Sequence, residues 1–247
     1  MKTKYHLGLL LIISGIISSC ASRQDNRYVI HQQAVIVDGI ADEWENIQGN
    51  TVDKAEQLWI GQGMLAEYWK GKEDLSFHWK ACREDNKIYF LFDVNDDVLV
   101  EPPGQPNSWL NDCVEIVLDP RNQRGPRFIE DEQGKELFGY EMHFMPSSPN
   151  HVFVNDALSP LYPVEMAQDS LFKTRWDGEI ATSKSQGSYI MEIGFEVPGL
   201  SIYPGLEIGI DVVVCDDDGE GRKSLLIWSG VKNEYWLTMD DYPRVIF

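Results

Sequence analysis

Two alternating runs are the clearest pattern along the chain. Leu75, Phe77, Trp79 and Ala81 recur at every second position, and so do Ile88, Phe90, Phe92 and Val94. A period of two puts each set on one face of a β-strand. The Glu84–Asp85–Asn86 segment between the runs is a hairpin turn signal. Further strands are predicted over Asp112–Asp119, Phe138–Phe144, Tyr189–Phe195, Leu206–Val214 and Leu225–Trp228. No stretch holds a long helical period. Gly63–Lys70 admits one short helix, or a segment whose neighbouring Trp59, Tyr68 and Trp69 simply pack. Many short strands between Gly-, Pro- and Asp-rich turns predict an all-β fold, a single antiparallel β-sandwich with long loops.

The same alternation assigns faces. Val114, Ile116 and Leu118 point to a core, and Cys113, Glu115 and Val117 point away from it. Glu115, Glu141, His143, Glu192, Glu196 and Asp211 all fall on outward positions, which predicts a polar outer surface on the sheets. Trp44, Trp79 and Trp228 sit in strand or turn patterns that favour burial. Trp109 and Trp236 lie outside any alternating run, beside turn chemistry. A flat ring at Trp109 near an outward carboxylate at Glu115 has the makings of a sugar site. The ring covers a C–H face while charged oxygens accept hydroxyl protons. On this segment alone the plainer reading, a surface glutamate beside a half-buried tryptophan, is the better one.

Charge narrows the classes. The chain carries 21 basic and 40 acidic residues, a formal net charge of −19. A nucleic-acid binder needs clustered Lys and Arg to displace counterions, so that class is excluded. Strong acidity favours solubility and bound Ca²⁺.

The first residues read as an export signal. Lys2 and Lys4 precede an apolar run from Leu7 to Ile17, which ends in I-S-S-C at Cys20. This resembles the bacterial lipobox, which implies cleavage before Cys20 and a lipid on its thiol. The expected organisation is a signal peptide over residues 1–19, a tether over 20–32 and the sandwich over 33–247, on a membrane lipoprotein with the outer membrane favoured. Cys82, Cys113 and Cys215 then remain. They allow one disulfide, for which Cys113–Cys215 is the pair to test, or three buried free thiols. The lack of C-x-x-C and the small His supply argue against a zinc or redox site.

Four segments, in order, resemble family 9 carbohydrate-binding modules and their DOMON-like relatives. They are Asp38-Gly39 with Asp42-Glu43-Trp44; the hairpin end Ile88–Asp97; W-L-N-D-C-V-E-I from Trp109 to Ile116; and Gly209–Asp216 followed by Trp228-Ser229, Asn233 and Trp236. The likeness runs from about Val35 to Phe247. It implies a jelly-roll-like sandwich without catalysis, holding a sugar between Trp109 and Trp236 with polar partners at Glu115 and Asn233. It also implies structural calcium on Asp96, Asp112 and Asp216, where the alternative is solvated acidic turns. The implied partner is an oligo- or polysaccharide, with a glycoside hydrolase as a possible second partner. One departure stands out. The family's basic residue on the strand after W-x-x-D-x-V-E-I is missing, and Glu141 and His143 occupy that strand. Arg244 is a candidate replacement cation. Chain-end recognition is therefore not carried over.

Other classes stay open. A glycosidase needs two carboxylates facing across a cleft, and no spacing, whether Asp216–Asp218 or Glu192–Glu196, selects a pair. Haem would need clustered ligands, but alternation sends Met142 inward and His143 and Met145 outward. A scaffold or adhesion domain with a protein partner would also expose Trp and Tyr.

Overall fold

The computed structural model describes residues 27–100, 108–131, 134–146, 152–155, 178–197 and 199–247. The expected signal peptide and Cys20 lie outside them. Among the described residues no helix is long and apolar enough to cross a membrane.

The architecture is two β-sheets face to face. One sheet has the order β11 (Gly178–Ser185), β12 (Ser188–Glu196), β5 (Lys87–Asp96), β4 (Leu75–Glu84), β2 (His31–Gln32), with β3 (Gly49–Val52) also on β4. The other has β1 (Tyr28–Val29), β15 (Arg244–Ile246), β13 (Glu207–Asp216), β6 (Cys113–Asp119), β9 (Tyr140–Phe144), β10 (Val152–Asn155), with β14 (Ser224–Ile227) also on β13. A small ribbon, β7 (Phe128–Asp131) and β8 (Gly134–Leu137), stands apart. The expected all-β sandwich is thus the observed one.

The predicted hairpin is β4–β5, in register from Leu75↔Asp96 to Glu84↔Lys87. Asp85 takes the turn with φ +52°, a left-handed conformation that Asp tolerates. The apolar faces of β4 and β5 meet those of β6, β9, β12 and β13 in one buried cluster. Phe90 and Phe195 stack there with centroids 5.8 Å apart. Each such side chain contributes roughly 1.5–3 kcal/mol through its removal from water.

One open alternative is decided and two expectations change. No helix forms over residues 63–70; left-handed Gln62 and Gly63 turn the chain instead. The expected tether is shorter, because β1 and β2 already belong to the sheets. The Tyr28 hydroxyl accepts from Ala81 N at 2.8 Å, tying β1 in one sheet to β4 in the other. β1 pairs in parallel with β15, so the two ends of the domain lie side by side.

The largest change concerns the outer faces, which are not a polar surface. Glu115, Glu141, His143, Glu192 and Asp211 are all buried, and only Glu196 of that set is exposed. The reason is loop cover. Trp59, Met64, Tyr235, Met239 and Tyr242 fold over the outer face of β6 and β13, forming a second apolar cluster with Cys113, Val117 and Val213. Trp44 and Ile47 cover the other sheet against Cys82, Tyr89 and Leu91. There Glu192 accepts from Trp44 Nε1 (2.6 Å), Asp38 N (2.9 Å) and Gly39 N (2.6 Å). That contact accounts for the Asp38–Trp44 segment structurally, as a clasp.

Candidate functional site

Trp109 sits on a 3₁₀ turn, Ser108–Leu110, directly before β6. Its ring meets His143 edge to face, with centroids 5.9 Å apart. His143 is the register partner of Glu115 across β6–β9, and its Nδ1 lies 3.9 Å from Glu115 Oε1. Trp236 arrives from the far end of the chain. It packs edge to face on Trp59 (5.1 Å) and on Tyr235 (5.0 Å). The Tyr235 hydroxyl donates to Glu115 Oε2 at 2.7 Å. Both tryptophans are half-buried, and each reaches Glu115 through one intervening side chain, Trp109 through His143 and Trp236 through Tyr235.

Glu115 itself is only 1% exposed. Beyond Tyr235, its Oε1 accepts from Cys215 Sγ (3.1 Å) and lies 3.8 Å from Arg222 Nη1. Asn233 Nδ2 donates to Asp241 Oδ2 (2.7 Å), and its main-chain oxygen accepts from Trp59 Nε1 (2.8 Å). The Asn233 Oδ1 atom is buried with no hydrogen-bond partner among the described residues. Contacts thus run from Trp109 through His143 to Glu115, from Glu115 through Tyr235 to Trp236, and from Trp236 through Trp59 to Asn233.

Two cations hold this floor, and neither is Arg244. Arg127 donates Nη2 to Glu141 Oε2 and Nε to the Trp236 carbonyl, each at 2.6 Å. Arg222 N donates to Leu110 O at 2.9 Å, beside Trp109. Arg244 instead pairs with Glu207 (3.5 Å) at the opposite end of β13. Burial opposes a proton on His143, but the facing Glu115 and Glu141 carboxylates outweigh it and raise its pKa. The sequence reading missed Tyr235, Trp59, Arg127 and Arg222. The Tyr-Trp pair at 235–236 was the one local signal; the arginines become visible only once loops fold back.

A second cluster forms at the end of the sandwich. The carboxylate oxygens of Asp96, Asp112 and Asp216 lie within 4.8 Å of one another, all buried. Asp112 is held by Asp217 N (2.7 Å) and Val100 N. Asp96 Oδ1 accepts from Val98 N (3.0 Å), and Asp216 Oδ2 from Ser224 Oγ (2.8 Å). The other oxygens, Asp96 Oδ2 and Asp216 Oδ1, are buried without partners. Burial and mutual repulsion push Asp96 up to about 6, Asp216 up to about 7 and Asp112 up to about 9. Three buried carboxylates, two of them with an unpartnered oxygen, suit a hard dication.

Cys82, Cys113 and Cys215 are free, buried thiols; the pair marked for a disulfide test faces across β6–β13 unbonded.

Comparison with known proteins agrees with the fold. The profile of the carbohydrate family 9 binding domain-like family matches residues 37–246. Endo-1,4-beta-xylanase A of Thermotoga maritima is 25% identical over 203 residues, covering 81% of this chain and 16% of the xylanase. The chain thus spans a small part of that enzyme's length. Among solved structures, a family 9 carbohydrate-binding module from Caldicellulosiruptor kristjanssonii in complex with cellotriose superposes with a TM-score of 0.65 at 17% identity, covering 89% of this chain and 92% of that one. The same organism's module in complex with glucose gives a TM-score of 0.63 at 17% identity, over 89% and 94%. The chain belongs to the carbohydrate family 9 binding domain-like family.

Proposed function

We propose that this protein binds glycans without cleaving them, stacking a sugar ring against Trp109 and Trp236. The observation that supports the reading is that two half-buried indoles connect to one buried carboxylate, Trp109 through His143 and Trp236 through Tyr235. Each aromatic contact contributes about 1 kcal/mol. Glu115, sealed beneath, acts through the Tyr235 hydroxyl, and a sugar hydroxyl would satisfy Asn233 Oδ1. The saccharides bound by the Caldicellulosiruptor modules, glucose and cellotriose, are the first ligands to try.

A non-catalytic role fits the carboxylates. Glu192 spends both oxygens on the Trp44 clasp, Glu141 is paired with Arg127, and Asp216 belongs to the buried acidic cluster. None of these faces another across an open cleft, as glycoside hydrolysis requires. Calcium on Asp96, Asp112 and Asp216 would offset most of that cluster's charge and fix the end of β6 beside Trp109. The lipobox at Cys20 supports anchoring at the bacterial cell envelope, and the xylanase likeness supports service beside a glycoside hydrolase.

Titration calorimetry with glucose and cellotriose, in calcium, tests the reading. Trp109→Ala and Trp236→Ala should each weaken binding by about fivefold or more. A glycan array silent for every saccharide would replace this reading with a protein-binding scaffold.

A further inference from the structure

We propose a buried zinc site beneath the tryptophan pair, built by Cys113, Glu115 and Cys215 and completed by His143. This inference does not rest on the sugar reading.

The register sets the ligands. Cys113 and Glu115 are two apart on β6 and share its outer face. Cys215 on β13 is the partner of Cys113, and His143 on β9 is the partner of Glu115. The donor atoms of Cys113, Glu115 and Cys215 lie within 4.8 Å of one another. His143 is 1% exposed; its Nε2 faces Glu141 Oε1 at 3.3 Å, and its Nδ1 has no hydrogen-bond partner among the described residues. A buried imidazole in that state wants a ligand. The 3.9 Å between Nδ1 and Glu115 Oε1 is a gap that one ion bonded to each at about 2.0–2.1 Å can bridge.

The surroundings match a metal site as well. His143 Nε2 lies 3.3 Å from Glu141 Oε1, and Arg127 holds the other oxygen of that carboxylate. A carboxylate behind the imidazole is what orients and strengthens a metal-bound histidine. Tyr235 occupies Glu115 Oε2 and leaves Oε1 facing the sulfurs.

Charge closes too. A zinc ion, two thiolates and Glu115 carry one net negative charge, and the Arg222 guanidinium beside Cys215 Sγ (3.6 Å) and Glu115 balances it. The two thiols give up their protons as the ion enters, and His143 gives up the proton it holds when charged, because a metal-bound imidazole is neutral. By contrast, a triad of Glu115, Glu141 and His143 alone would add a dication to carboxylates already matched by Arg222 and Arg127.

A disulfide fits less well. Trp228 N donates to Val212 O, and Ile210 N donates to Pro243 O. Even-numbered β13 amides therefore face β14 and β15, and those of Cys215 face β6. Cys113 and Cys215 thus form a hydrogen-bonded cross-strand pair, with Cα atoms about 5.5 Å apart and diverging Cβ atoms. A disulfide wants Cβ atoms nearer about 3.8 Å. Two zinc–sulfur bonds of about 2.3 Å span the wider gap without moving the strands. The missing C-x-x-C motif hid this arrangement because its ligands come from three strands.

The test uses the purified full-length chain, thiols reduced, with calcium present throughout to occupy the acidic cluster. Zn²⁺ should bind at about one ion per chain with release of about two to three protons, two from the thiols and the third from His143 when it is charged. Co²⁺ in its place should show thiolate-to-cobalt charge-transfer absorption and intense tetrahedral d–d bands. Cys215→Ser and His143→Gln should lose the stoichiometric ion, and Cys82→Ser, on the other sheet, should keep it. The wild-type cobalt spectrum and proton count decide the matter even if a variant fails to fold. Binding without a thiolate band, no stoichiometric binding, or a Cys113–Cys215 disulfide in protein isolated from the envelope would each overturn the site.

Discussion

Tyr235 and Glu115, 120 residues apart in sequence, share a buried hydrogen bond of 2.7 Å. It joins the segment that carries Trp236 to the strand that follows Trp109. Replacing Tyr235 by Phe leaves a buried carboxylate oxygen without its donor, at a cost of roughly 1–3 kcal/mol. Urea unfolding should show that loss, and sugar affinity should fall with it because Trp236 loses its fixed position. Glu115→Gln still offers an acceptor to the phenol and should lose less than Glu115→Leu.

Calcium gives a second measurement. If the ion sits on Asp96, Asp112 and Asp216, chelation should lower the melting temperature, and excess Ca²⁺ should restore it. Asp96→Asn with Asp216→Asn should make the melting temperature indifferent to both treatments.

Asp211 supplies a pH dependence of its own. Its carboxyl is fully buried, accepts from Ser229 N and Val212 N, and is pushed by burial up to about 7. Because the folded pKa is raised, the stability it confers is complete below the unfolded value and fades as pH rises through about 7. Asp211→Asn keeps an acceptor and removes the charge. Relative to the wild type, the variant should therefore gain steadily as pH rises from about 4, reach its full advantage by about pH 7, and show none of that advantage below about pH 4, as read from unfolding midpoints across pH.

Glu192 offers the clearest structural test away from the tryptophans. Glu192→Leu strands the Trp44 indole N–H and the amides of Asp38 and Gly39, three donors that now share one carboxylate. A loss of about 2–4 kcal/mol is expected, with sugar binding intact at temperatures where the variant stays folded.

The strands were legible because their apolar residues keep strict alternation. Leu75–Ala81 and Ile88–Val94 predicted β4–β5 nearly residue for residue, and Glu115 was placed on the correct face of β6. What alternation cannot report is what lies above a face. Glu115, Glu141 and His143 read as a solvated surface because Tyr235, Arg127 and Arg222, which cover and neutralise them, reach there by loops. The acidic triad was visible as three separate turns, since each is anchored to the end of a strand that could be found. β1 and β2 escaped notice because two-residue strands carry no period to detect.

The parallel pairing of β1 with β15 has a kinetic consequence. Ile30 N donates to Ile246 O at 2.8 Å, so this sheet edge is sealed by the first and last strands together. During synthesis on the ribosome, the β4–β5 hairpin can assemble early, while Tyr28 must wait for β15, more than two hundred residues later, to emerge. High contact order of this kind makes edge closure a late and slow event. A nascent chain halted before Arg244 would leave β1 and the rim of β13 open to pairing with another molecule.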